Sequence, residues 1–227
     1  MIGVTENLRK IRNLLAEAAV EAERDPATVK LLAVSKKQSL EAIREAAENG
    51  QRDFGENYVQ EGLEKIAQVG SDDLVWHFIG HLQSNKTRVV AEHFDWVHTI
   101  DRLKIAKRLS AQRPASKAPL NVCLQVDIDN ETSKSGAAVD DIPELAHAVA
   151  NLDRLRLRGL MCLPRQRDGF DAQREPFRRL KGIADALRDD GLDIDTLSMG
   201  MSGDFHAAIA EGATMVRIGT AVFGPRQ

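Results

Sequence analysis

The chain has 227 residues with 43% hydrophobic and 29% charged content, the balance of a globular protein that fills one large domain, read here as residues 1–227. A formal net charge of −3 gives no basic footprint for nucleic acid or an anionic membrane surface, and no apolar run approaches the roughly 18 residues of a membrane-spanning helix. MIGVTENLRKIRN at the N-terminus lacks a secretory core, and Cys123 and Cys162 form no CxxC pair, so the expectation is a reduced, cytoplasmic protein.

The stretch from about Thr5 to Glu23 places Leu8, Ile11, Leu15 and Ala18 on one helical face. Strand patterns then follow at 29–36, 52–57, 75–80, 96–100, 121–128, 155–163, 196–201 and 215–223. Several are almost continuously apolar, as strands buried on both faces of a parallel sheet must be. Helical stripes fill the spaces between them. Ser39 is placed to cap a helix that runs to about Asn49 and stops at Gly50. Ile142, Leu145, Val149 and Leu152 repeat behind Asp140 and Asp141, which can cap, with Pro143 in the first turn. Phe177, Leu180, Ile183 and Leu187 form another stripe, closed by Gly191. DNETSKSGAAVDD (129–141) reads as a loop.

Strands alternating with helices predict an α/β fold, a (β/α)8 barrel, with an open doubly wound sheet as the other topology that fits. The barrel is favoured because nothing helix-sized follows the last strand pattern. The N-terminal helix is then an extra element covering the place of a helix after strand 8.

In such a barrel the chemistry sits at the C-terminal strand ends, and phosphate binds after strands 7 and 8. SMGMSGDF (198–205) offers Gly200 and Gly203 for close backbone approach and the Ser202 hydroxyl. RIGTAVFG (217–224) adds Gly219 and Thr220. Lys36, at the end of LLAVSK, falls beside strand 8 once the barrel closes. A nucleophilic lysine needs a lowered pKa, which burial near a second cation supplies, and Arg217 is that cation. Amine, phosphate cradle and inward arginine together describe a pocket for pyridoxal 5′-phosphate (PLP). His77 and His81 have the spacing of a zinc pair, but WHFIGH crosses a strand and a turn, which argues against a metal there.

LLAVSK, FGENYVQE, WHFIGHLQSNK, HTID, SKSG, LRGLM, SMGMSGDF and MVRIGTAVFG occur in the order and spacing of a known family. The chain resembles the pyridoxal-phosphate homeostasis protein family, whose fold is similar to the N-terminal barrel of alanine racemase. The resemblance implies that Lys36 carries PLP as a covalent Schiff base and that Asn57 lies near the ring. It implies further that Ser202, Gly219 and Thr220, with backbone help from Met201, hold the phosphate while Arg217 faces the pyridine nitrogen. The family often has Thr after the lysine and Pro three residues beyond; here Lys37 and Ser39 stand at those places. Alternation along the strand points Lys37 towards solvent. Lys134, in SKSG, matches a loop lysine that receives or releases PLP.

Two functions of different class remain. One is a PLP carrier or buffer in vitamin B6 homeostasis, a monomer without turnover whose recipients are apo PLP-dependent enzymes. The other is a PLP-dependent amino-acid racemase, which needs an acid–base group on each face of the substrate carbon. The carrier is expected, because the racemase architecture draws one such group from a second domain and this sequence ends with the barrel; its single tyrosine is Tyr58. An aldolase using the same lysine without PLP is a third, weaker reading.

Overall fold

Apolar runs flanked by helical stripes have one economical arrangement: each strand is covered on its outer face by the helix that follows, and the sheet closes on itself. That is the architecture of the computed structural model, which describes residues 3–130 and 135–224; Lys134 lies outside the described residues. In chain order the elements begin with α1 (Val4–Glu21), β1 (Lys30–Val34), α2 (Leu40–Glu48), β2 (Asp53–Glu56), α3 (Val59–Val69) and β3 (Val75–Phe78). Next are α4 (Thr87–His93), β4 (Trp96–Ile100), α5 (Leu103–Gln112), β5 (Leu120–Val126), α6 (Ile142–Ala150) and β6 (Leu155–Cys162). The chain finishes with α7 (Phe170–Asp189), β7 (Thr196–Ser198), α8 (Phe205–Ala210), β8 (Met215–Ile218) and α9 (Thr220–Phe223).

The strands pair in sequence order as a closed parallel barrel, which rules out the open sheet. Closure is made by β1 against β8, with Leu32 opposite Arg217 and Ala33 opposite Ile218. Outward residues such as Phe54, Phe78, Leu124, Leu160 and Val216 join the helices in the main core. Burying a side chain of that size contributes about 1.5–3 kcal/mol.

β4 matches its sequence pattern, whereas the other strands stop short of theirs at the C-terminal end, most of all β7 and β8. Residues 199–201 and 219–223 are apolar or small, so hydropathy extends the pattern, but Gly200 at φ 92° and the turn at Gly219 end the ladders. Residues Thr220–Phe223 form a single helical turn, so a short helix does follow the last strand. The extra N-terminal helix packs beside α8, α9 and α2 and buries Leu8, Ile11, Leu15 and Ala18 as expected. Asn7 Nδ2 ties it to Val222 O at 3.0 Å.

Ser39 caps α2, its Oγ accepting from Ala42 N at 3.3 Å. Gly191, at φ 88°, ends α7 with Leu192 N donating to Leu187 O. The Asp140 and Asp141 caps do not form: Val139–Asp141 makes a 3-10 turn and neither carboxylate caps α6, which stops before Leu152. Among the described residues, no helix is long and apolar enough to cross a membrane.

Candidate functional site

Alternation decides what enters the barrel lumen. In β1 the inward residues are Leu32 and Val34, in β8 Met215 and Arg217; the outward ones belong to the main core. Lys36 keeps the inward parity but lies past the strand, in a turn closed by Gln38 N donating to Ser35 O at 3.0 Å. Lys36 is half-buried and Lys37 exposed. Lys37 reaches solvent through a left-handed backbone, φ 59°, not through strand alternation, and its N–H donates to Glu61 Oε1.

That turn is held from beneath by a buried charge cluster. The Ser35 hydroxyl donates to Glu56 Oε1 at 2.6 Å. Lys65 Nζ, from α3, donates to Ser35 O at 2.6 Å, Glu56 Oε1 at 2.8 Å and Glu61 Oε1 at 2.6 Å. Burial raises the Glu56 carboxyl above its usual range, and Lys65 offsets part of that shift.

Above the lumen a cavity of about 370 Å³ opens at the C-terminal strand ends. Its lining includes Lys36, Asn57, Met201, Ser202, Arg217, Gly219 and Thr220, together with the apolar Val34, Ile79, Met161 and Leu163. The fold therefore brings Lys36, Asn57, Met201, Ser202, Arg217, Gly219 and Thr220 to one cavity, whose lining does not include Gly200 or Gly203. Asn57 Oδ1 is buried without a hydrogen-bond partner among the described residues.

The corner between β7 and β8 works differently from the sequence expectation. Gly200 serves the fold: a Cβ there would lie 2.6 Å from Ala208 Cβ, and Gly200 O accepts from Arg217 N at 3.0 Å. A Cβ at Gly203 would meet nothing within 4 Å, so its place demands no glycine. Gly219 fits because a Cβ would stand 3.2 Å from Val34 O. Met201 N–H is committed to Asp204 Oδ1 at 2.6 Å, so it is not an available anion donor. The N–H groups of Ser202 and Thr220 have no backbone acceptor among the described residues. Burial raises the Asp204 carboxyl, with the Met201 N–H and Arg217 opposing.

Arg217 is 5% exposed, and burial lowers its pKa from the usual guanidinium value. Nη1 donates to Ser198 O and Oγ, and Nη2 donates to Cys162 O at 2.8 Å. Beneath it the lumen is polar. Ser198 Oγ lies 2.8 Å from His98 Nδ1, His98 Nε2 lies 2.9 Å from His77 Nδ1, and His77 Nε2 lies 3.0 Å from Asp53 Oδ1. His77 also stacks on Trp96, with ring centroids 5.3 Å apart. Burial lowers the pKa of both imidazoles, His98 furthest, where His77 and Arg217 add to the effect. His81 faces elsewhere, with Nδ1 3.0 Å from Ser135 Oγ, so the two histidines of WHFIGH share no site. Cys123 and Cys162 are buried thiols pushed up to about 12 by desolvation, and both are unpaired.

Sequence comparison matches residues 4–227 to the family described as "Alanine racemase, N-terminal domain". A pyridoxal phosphate homeostasis protein of Pseudomonas aeruginosa is 58% identical over 226 residues, covering 100% of this chain and 97% of its own. The chain belongs to the pyridoxal phosphate homeostasis protein family. The Escherichia coli member is 53% identical over 229 residues, covering 100% of this chain and 98% of its own. Among solved structures, PipY of Synechococcus elongatus without PLP superposes with TM-score 0.88 at 37% identity, over 97% of this chain and 100% of that one. PipY with PLP bound gives TM-score 0.84 at 36% identity, over the same shares.

The residues present suit the cofactor that the family name carries. An aldehyde needs an amine, a phosphate dianion needs hydroxyl and N–H donors, and a pyridine nitrogen needs a partner. Lys36, Ser202 with Thr220, and Arg217 supply those groups around one cavity, and Asn57 adds an unpaired polar atom. Sequence reasoning missed Glu56, Lys65, Asp53, His77, His98 and Ser198 as parts of the site. For the lumen residues a signal existed: each is a polar side chain inside a strand otherwise made for burial. For Lys65 there was none, since a lysine on an amphipathic helix reads as solvated.

Proposed function

We propose that this protein binds PLP in the cavity at the C-terminal end of the barrel and acts as a carrier or buffer in intracellular PLP homeostasis. The carrying observation is the convergence of Lys36, Asn57, Ser202, Arg217, Gly219 and Thr220 on one cavity, in a chain whose relatives bear that functional name. When bound, PLP would supply an amine-reactive aldehyde, and Lys36 would be the amine that holds it. Ser202 and Thr220 give hydroxyls and N–H groups to the phosphate, and Gly219 keeps the β8 turn close to β1. Met201 contributes its side chain to the wall; its N–H is spent on Asp204.

Arg217 would be the residue that holds the pyridine nitrogen. A guanidinium stays protonated and only donates, so it favours an unprotonated ring nitrogen and a weaker electron sink. Among the described residues lining the cavity, Lys36 and Arg217 are the ionisable side chains, and a guanidinium does not give up its proton, which leaves Lys36 as the single acid–base candidate. Inversion of a substrate carbon calls for such a group on each face. Both features suit storage over turnover, with apo PLP-dependent enzymes as recipients and the monomer as the working form.

Purified protein incubated with PLP and reduced with borohydride is expected to gain one covalent pyridoxyl group by mass spectrometry, and Lys36→Ala none. Failure of the wild type to take up PLP would sink the reading. Holo-protein incubated with L- and D-amino acids is expected to give no chiral inversion. Sustained inversion would replace the carrier with a racemase.

A further inference from the structure

The lumen chain has fixed ends. The Asp53 carboxylate can only accept, and the Arg217 guanidinium can only donate. At one end Asp53 Oδ1 lies 3.3 Å from Lys30 Nζ and 3.0 Å from His77 Nε2, so His77 carries its proton on Nε2. A neutral imidazole has one donor and one acceptor, which makes His77 Nδ1 an acceptor. His98 Nε2, 2.9 Å away, must then be the donor, leaving His98 Nδ1 to accept. The Ser198 hydroxyl, 2.8 Å from that nitrogen, therefore donates to it and turns its lone pairs to Arg217 Nη1 at 2.8 Å. With two neutral histidines, every proton in the chain has one place.

We propose that Asp53, His77, His98 and Ser198 are positioning residues for Arg217, a one-directional hydrogen-bonded chain across the lumen that sets where the guanidinium sits and how it meets the ring end of the cavity. Desolvation of both fully enclosed imidazoles favours the neutral forms that this direction requires. Apolar side chains would fill a barrel lumen without the cost of burying polar groups, as they do elsewhere in this one around Leu32, Ile79 and Met215. The polar layer instead runs unbroken to the cavity-lining Arg217. Arg217 Nη1 also holds Ser198 O, and Nη2 holds Cys162 O, so the chain fixes its turn while the two carbonyls fix its height. What Arg217 meets in the cavity rests on the PLP reading; the order of the chain rests on the protein's own atoms.

The test has two arms. In the first, long-range ¹H–¹⁵N spectra of histidine-labelled full-length protein without PLP are recorded near neutral pH, with His98→Gln used for assignment. His77 and His98 are expected to be neutral with the proton on Nε2. A proton on Nδ1 of either, or a charged imidazolium, overturns the chain. In the second, Ser198→Ala is expected to weaken PLP retention by roughly three- to tenfold, the scale of one hydrogen bond, and to shift the visible band of the holo-protein. Ser198→Thr, which keeps the hydroxyl, is expected to restore both. Unchanged affinity and spectrum in Ser198→Ala overturn the positioning role. A wild type that binds no PLP defeats the functional reading alone, since the first arm still decides the chain.

Discussion

Two buried polar clusters border the cavity. Glu56, Lys65 and Glu61 lie outside the barrel wall, between β2 and α3, beneath the turn that carries Lys36. Asp53, His77, His98 and Ser198 lie inside the wall, beneath Arg217. The outer cluster is an ion pair with a surplus acid: Lys65 is 6% exposed, Glu56 0% and Glu61 25%. The inner one joins two ions through neutral imidazoles. Charge holds the first together, and breaking it strands an ion. Direction of donation holds the second together, and a change of proton count disturbs it.

The largest difference should appear when one cation is removed. Lys65→Met leaves Glu56 and Glu61 without their partner and is expected to cost about 3–5 kcal/mol in urea denaturation. A loss under about 1 kcal/mol would reduce the cluster to packing.

Acid separates the clusters by sign. His77 and His98 have folded pKa values below the unfolded value of about 6.5 because burial disfavours their charge. Between those values the unfolded chain binds more protons, so stability rises with pH and levels off above the unfolded pKa. Stability should fall as pH drops below about 6.5, by up to ~1.4 kcal/mol per pH unit for each histidine. Glu56 runs the other way: its raised pKa favours the fold at low pH, a contribution lost as pH rises through the folded value. Thermal unfolding from pH 5 to 8 checks this; a His77→Phe, His98→Phe double variant should have the shallower acid limb, and an unaltered limb would remove the histidines as its cause.

An exposed pair sets the floor of the comparison. Lys181 and Asp185 pair one turn apart on α7, with side chains 46% and 42% exposed. Lys181→Ala should change stability by about 0.5 kcal/mol or less, and less still in high salt. A larger loss would mean that exposure is a poor guide to what these charges contribute.

The barrel was legible because two-sided burial writes near-continuous apolar runs, and helices between them leave their own stripe. Strand ends were not, since Met199 and Ala221 look like strand while backbone turns at Gly200 and Gly219 decide otherwise. Lys36 and Arg217 were legible because each lies at a strand end or in an apolar strand, where a cation needs a reason. His98 needed three-dimensional neighbours: its partners His77 and Ser198 come from β3 and β7, and no local spacing joins them. Lys65 was hidden for the opposite reason, because its helix puts an ordinary-looking residue under the one turn that matters.

The seam of the barrel also governs when the molecule can exist during synthesis. β1 finds β8, and α1 finds α8 and α9, only after nearly the whole chain is available. Until then Leu31–Val34 presents an unpaired strand edge, and Leu8, Ile11 and Leu15 have no surface to cover. A nascent chain therefore carries α1 and β1 as sticky, unfinished parts until residues 205–223 have been made, and ring closure is a long-range event that leaves time for aggregation or for a chaperone.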